Sequence, residues 1–207
     1  MKIVYILLSL FLIVNVSAQS YTLSSEPGEV LSVSGTSSLH DWSVDATEMN
    51  DLLQELSMSD GKLTIDAFQI SIPVASLDGG KGGMKSKLQK ALKESEYPDI
   101  IFELQEQTVI DVADDETDSI KGLLTITDKS KTIDLDLNVS ISNDVITLSG
   151  NEAMKMTDFD IDPPKALFGQ IKTRDDIEVS FELSYNCLLY TSPSPRDQRG
   201  SRMPSSA

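Results

Sequence analysis

The chain has one histidine and one cysteine, so the residues able to do nucleophilic or metal chemistry are few. The histidine, His40, lies between Leu39 and Asp41, with Ser38 just upstream. Ser, His and Asp are the residue types of a nucleophile, its base and an orienting acid, but such a set works only when the three side chains converge in space. Neighbours on an extended segment point to alternating faces. No catalytic residue is therefore assigned, and the chain is not read as an enzyme. His40 is expected to be a buried, hydrogen-bonded structural residue, with a polar contact at the mouth of a binding site as the alternative. One histidine and a thiol-free body also exclude an ordinary zinc site.

Carboxylates are abundant, but their spacing does not fit a cation. Asp111, Asp114, Asp115, Glu116 and Asp118 lack the Asp-x-Asp-x-Asp-Gly pattern of a calcium loop and read as a solvated hairpin connection. Asp158, Asp160 and Asp162 alternate ahead of Pro163-Pro164, which stiffens that loop, and no metal is assigned there either. Gly79-Gly80-Lys81-Gly82-Gly83 lacks the Gly-Lys-Ser/Thr ending of a phosphate loop. It reads as a flexible lead-in to a helix. No cofactor is implied.

The elements that must position these residues are mostly strands. Ile133, Leu135, Leu137, Val139 and Ile141 alternate with Asp134, Asp136, Asn138 and Ser140, which is the period of a half-buried strand. Ile177, Val179, Phe181 and Leu183 repeat that pattern. Ile146 with Leu148, Leu123 to Ile126, and Ile100-Phe102-Leu104 add further strands. Between Lys62 and Pro73 the apolar phase begins on Leu63 and Ile65 and slips to Phe68, Ile70 and Ile72, as a β-bulge would make it do. Tyr21 to Ser25, Glu29 to Ser37 and Trp42 to Met49 supply the early strands, and Leu52 to Met58 is open between strand and turn. One helix is expected, with Met84, Leu88, Ala91 and Leu92 on one face and Lys85, Lys87, Lys90 and Lys93 elsewhere, closed by Pro98. Some eight strands in this length indicate a closed antiparallel barrel or a sandwich. A barrel of that size either fills with side chains or holds one small ligand.

The ends differ from the body. Lys2, the apolar run Ile3 to Val16 and the small residues Ser17-Ala18 read as a secretory signal over residues 1–18. The run is short for a stable membrane span. A single domain is expected over residues 19–186. Residues 187–207, CLLYTSPSPRDQRGSRMPSSA, are rich in Ser, Pro and Arg and lack a strand or helix period. They read as a disordered, non-native tail that resembles translated adapter or vector sequence, a natural disordered tail being the alternative. The chain carries a formal charge of −16. The body is more acidic still, because the two ends hold Lys2, Arg196, Arg199 and Arg202 against Asp197 alone. Such a field disfavours nucleic acid and anionic surfaces as partners.

Several segments, taken in order, resemble one family. Gly35-Thr36-Ser37-Ser38-Leu39-His40-Asp41-Trp42 resembles the opening motif of the YceI-like proteins. Met84 to Leu92 with Tyr97-Pro98-Asp99-Ile100-Ile101-Phe102, then Gly122 to Ile126 with Lys131-Thr132-Ile133, resemble its middle. Met156 to Pro164 with Gly169 resembles its late loop. Asp128 stands where that family's central hairpin often has Gly, and it is a tolerable turn residue. The resemblance spans about Tyr21 to Tyr185. It implies an all-β fold with one short helix, an extended lipocalin-like eight-stranded antiparallel barrel, in a periplasmic or secreted protein. It also implies an apolar, lipid-like ligand, polyisoprenoid or acyl, in the lumen. The set expected to line that lumen is Phe68, Phe102, Phe159, Phe168 and Phe181 with Ile65, Leu124, Ile126, Leu135 and Leu137. His40 and Trp42 join it at the barrel end, where Trp42 serves as a core plug or as a stacking surface. Lys85, Lys87 and Lys90 are placed to meet an anionic head. The competing reading is a protein-interaction or structural module whose barrel is filled.

Overall fold

The computed structural model describes residues 20–23, 30–80, 83–112, 117–143, 145–166 and 169–188. The signal segment 1–18, Phe168, residues 113–116 of the acidic run and the tail beyond Leu188 lie outside the described residues. The chain forms β1 (Ser20–Leu23), β2 (Val30–Ser37), β3 (Asp41–Ala46), β4 (Asn50–Ser59), β5 (Lys62–Pro73) and β6 (Leu77–Asp78). One helix, α1 (Met84–Ala91), follows. Then come β7 (Asp99–Leu104), β8 (Thr108–Asp111), β9 (Asp118–Ile126), β10 (Lys129–Ser142), β11 (Val145–Lys155), β12 (Lys165–Ala166) and β13 (Ile171–Leu188). A 3₁₀ turn over Met156–Phe159 joins β11 to the loop before β12. The last strand runs through Cys187 and Leu188, which pair with Tyr21 and Ser20, two residues past the boundary expected at Asn186.

All of the pairings are antiparallel, in the order β4-β5-β7-β9-β10-β11-β13-β2-β3. Its two ends, β4 and β3, are consecutive stretches of chain separated only by Thr47, Glu48 and Met49, so the sheet curls until its ends share one run of backbone. β1 and β2 lie end to end along β13, and β7 and β8 lie end to end along β5. Counting β1–β2, β7–β8 and the consecutive β3–β4 each as one stave leaves eight, and the fold is the eight-stranded antiparallel barrel expected.

Local features follow the sequence closely. Leu56 pairs with Ile65 and Glu55 with Ala67, which leaves Asp66 as the extra residue of a bulge. That bulge turns the apolar phase from Leu63 and Ile65 to Phe68 and Ile70, and all four are buried. Leu52–Met58, open between strand and turn, is strand, because Leu53 to Met58 pair with β5. β3 ends at Ala46, short of Met49: the Thr47 amide bonds to the Ser76 carbonyl, and the Ser76 hydroxyl donates to the Glu48 carbonyl. These contacts take the backbone out of the β2 ladder. α1 ends at Ala91 with Leu92 as its C-cap, and Lys93 at φ 51° turns the chain toward Pro98.

The barrel is packed unevenly. At the end where β1, β5, β8 and β11 meet, Leu63, Ile110, Ile146 and Tyr185 are almost wholly buried. Each such side chain contributes about 1.5–3 kcal/mol by leaving water. At the other end the inward residues Ile133, Leu135, Met154, Ile177 and Phe181 are only half-buried. That half contains the cavity.

Candidate functional site

A cavity of about 450 Å³ occupies the lower half of the barrel. Its wall is mainly Leu, Ile, Val, Phe and Met, from strands on every side and from α1. The boundary with the packed half is aromatic. Phe68 meets Phe102 edge to face at 6.3 Å between ring centroids, and meets Tyr185 likewise at 6.1 Å. Phe102 lies over Gly122 on β9, where even a Cβ would overlap its ring. The glycine is therefore what lets the ring lie flat against the wall. Trp42 lies over Gly35 in the same way, and its indole N–H donates to the Thr36 carbonyl at 3.3 Å.

Met84, Leu88, Ala91 and Leu92 of α1 line the cavity, so the helix closes one side of it. None of the α1 residues is fully buried. Its apolar face looks onto the cavity instead of a filled core. Of the three lysines expected to meet a head group, Lys87 lines the cavity, whereas Lys85 and Lys90 do not.

The 3₁₀ turn is strapped across the foot of β10. Lys131 pairs with Asp158 at 2.8 Å and Lys129 with Asp160 at 2.9 Å. Thr157 donates from its amide and its hydroxyl to Asp175 at 2.9 and 2.6 Å. Hydrogen bonding from Lys131 holds the Asp158 carboxyl below its ordinary value, that from Lys129 does the same for Asp160, and the Thr157 hydroxyl for Asp175. Two members of the alternating Asp158, Asp160 and Asp162 set are thus engaged by lysines. The strap carries Phe159, 2% exposed, and Ile161 into the wall.

Every residue expected in the lumen, apart from Phe168, lines this one cavity. His40 needs a correction. It is exposed, at the rim, with Nδ1 2.7 Å from the Asp41 carbonyl oxygen, and is not the buried histidine expected. The turn between β2 and β3 that carries it is tied to β13 through Ser38, whose amide donates to the Lys172 carbonyl, and the His40 ring is left at the surface. The Ser37 hydroxyl donates to the His40 carbonyl and that of Ser38 to the Gln170 carbonyl, so neither is directed to the imidazole.

Sequence reasoning missed Glu152. It lines the cavity from β11, and burial is the first cause that raises its carboxyl above the ordinary value, followed by the charges of Asp136 and Asp134. The signal was present: the inward phase Ile146, Leu148 and Gly150, carried on by two residues, places Glu152 and Met154 inside.

The model of the YceI-like domain matches residues 21–185. The chain belongs to the YceI-like family. Among curated proteins no sequence matches. Solved structures agree on the YceI-like fold. BcnA of Burkholderia cenocepacia superposes with a TM-score of 0.61 at 16% identity, over 75% of this chain and 95% of that one. A polyisoprenoid-binding domain from Saccharophagus degradans, implicated in plant cell wall breakdown, gives 0.60 at 15% identity, over 82% and 99%. The YceI protein of Campylobacter jejuni gives 0.54 at 23% identity, over 68% and 82%. Among the described residues, no helix of this YceI-like chain is long and apolar enough to cross a membrane.

Proposed function

We propose that the barrel holds the apolar chain of a lipid-like molecule, polyisoprenoid or acyl, and acts as a non-enzymatic carrier or scavenger in the periplasm or outside the cell. The observation that carries this reading is the apolar cavity of about 450 Å³ inside the barrel. Its volume falls in the range of small-molecule sites, about 300–1,000 Å³. A chain that buries about ten methylenes gains about 8 kcal/mol, the equivalent of a micromolar Kd before ordering costs are subtracted, with few polar contacts. His40, Trp42, Ile65, Phe68, Phe102, Leu124, Ile126, Leu135, Leu137, Phe159 and Phe181 are the proposed contacts, and Phe168 is proposed from its sequence alone. The polyisoprenoid-binding description of the S. degradans domain supports the same ligand class.

A filled interaction module would hold these side chains at ordinary core density, and the half-buried residues of the lower barrel weigh against it. Hydrolysis by His40 and Asp41 is disfavoured because neither nearby serine hydroxyl is directed at the imidazole. Native mass spectrometry of the protein purified gently from a bacterial host, before and after solvent extraction, tests the reading. A stoichiometric adduct that leaves with solvent is expected. A bare protein that also refuses added prenyl and acyl lipids overturns it.

A further inference from the structure

Glu152 has an unusual position for a carboxylate. On β11 it faces inward between Gly150 and Met154, and across the ladder it pairs with Val179. Its neighbours on that face are therefore apolar or lack a side chain. Among the described residues it makes no hydrogen bond and no ion pair. Three lysines, Lys87, Lys155 and Lys165, also line the cavity. The charges that act on Glu152 are nevertheless those of Asp136 and Asp134, so no lysine neutralises it.

The ladder beside it ends early. The β10–β11 ladder runs from Ser142–Val145 to Asn138–Ser149 and stops there. Beyond that point, among the described pairings, β10 pairs with β9 and β11 with β13. Gly150 still lies against the Asp136 backbone, and beyond it the ladder parts between Ile133–Leu135 on one side and Glu152–Met154 on the other. Of the six residues around this parting, Ile133, Leu135, Glu152 and Met154 line the cavity, and Asp134 and Asp136 stand on its outer lip.

An ionised carboxylate only accepts hydrogen bonds. Set in an apolar wall without a partner, it costs free energy until a donor reaches it. We propose that Glu152 is the head-group acceptor of the lumen: it selects amphiphiles whose polar end donates hydrogen bonds at the parting of β10 and β11, ammonium above hydroxyl, and it rejects anionic ends. This rests on the lumen reading above and specifies the polar end of the ligand, which the apolar cavity leaves open. It also opposes the sequence expectation of an anionic head at the α1 lysines, of which only Lys87 lines the cavity.

The test is a matched-tail series. Dodecylammonium, dodecanol and dodecanoate, each below its micelle concentration, compete with N-phenyl-1-naphthylamine fluorescence in the full chain and in Glu152→Gln. The ammonium should displace the probe at about tenfold lower concentration than the carboxylate, the size of one charge-assisted hydrogen bond, and Glu152→Gln should abolish that ratio. Glu152→Lys should invert it, and because each result is a ratio within one variant, it does not depend on the variants being equally stable. An unchanged ratio in Glu152→Gln, or a preference for dodecanoate in the unaltered chain, overturns the assignment and leaves the lumen reading standing. If neither the probe nor any tail binds, the lumen reading falls and this one with it.

Discussion

Phe68 is the residue that separates the two halves of the barrel. It is 6% exposed, packs edge to face on both Phe102 and Tyr185, and stands between the cavity and the packed end. Phe68→Ala removes a buried aromatic and leaves a hole that the rigid barrel cannot close, which costs about 3–5 kcal/mol. The two ring pairs, each worth about 0.5–1.5 kcal/mol, form part of that figure. In a domain of this size about 4 kcal/mol lowers Tm by about 8–16 °C. Phe181 also lines the cavity but is half-buried, with open space on one side. Phe181→Ala should therefore cost less than half as much. Thermal unfolding followed by circular dichroism measures both. A Phe68→Ala loss below about 5 °C, or a Phe181→Ala loss equal to it, would refute the division into a packed and a hollow half.

Further predictions address the wall and the strap. Gly122→Val should force the Phe102 ring off β9 and into the lumen, costing about 1–3 kcal/mol by overpacking and weakening binding of long tails more than short ones, as read by Tm and probe displacement. Lys129→Gln with Lys131→Gln should change Tm little, because both pairs are exposed, and that small change should vanish in high salt, while hydrogen exchange over Met156–Phe159 speeds up. Asp158, Asp160 and Asp175 sit below their ordinary 3.8, so they support the fold above that value and lose this support as pH falls through their lowered values. Glu152 is raised above 4.5, so its charge disfavours the fold only as pH rises through the raised value. Glu152→Gln should therefore raise Tm at neutral pH and not at pH 4, and equal shifts at both would contradict this sign.

The strands were legible because their inward faces keep strict time. The Ile133–Ile141 alternation and the phase slip at Asp66 reflect which side chains can enter a barrel, and that is written in the residues. The lumen set was legible for the same reason. Leu52–Met58 was not, because Leu52 and Leu53 are both largely exposed and a second bulge interrupts the period. The exposure of His40 was invisible too: a polar residue beside Trp42 has the same local sequence whether or not something covers the turn. Whether the barrel was hollow depended on how far facing staves stand apart, a property of ring closure and tilt that no single strand encodes. Glu152 was overlooked because the apolar run in β11 ends at Gly150, although the strand and its inward phase continue.

The hollow half has an energetic consequence that bears on function. Cavities in proteins cost about 24 cal/mol per Å³, so 450 Å³ forgoes at most about 11 kcal/mol relative to a filled barrel, less whatever water recovers at the mouth. Net stabilities are about 5–15 kcal/mol, so the void is as large as the whole margin of many folds. Larger side chains at Ile133, Leu135 and Met154 would shrink it, which makes an incidental void a poor explanation. The packed end, with Leu63, Ile110, Ile146 and Tyr185, then has the task of holding the ring closed while the other end stays open. A ligand that returns atoms to this space should stabilise in proportion to its occupancy. At about a hundred times its Kd it adds about 2.7 kcal/mol, or about 5–11 °C in Tm. Leu135→Trp, which plugs the lumen from β10, should raise the unliganded Tm or leave it unchanged, and should abolish the ligand-induced shift. A full shift in Leu135→Trp would mean that the ligand binds elsewhere and that the cavity is not the site.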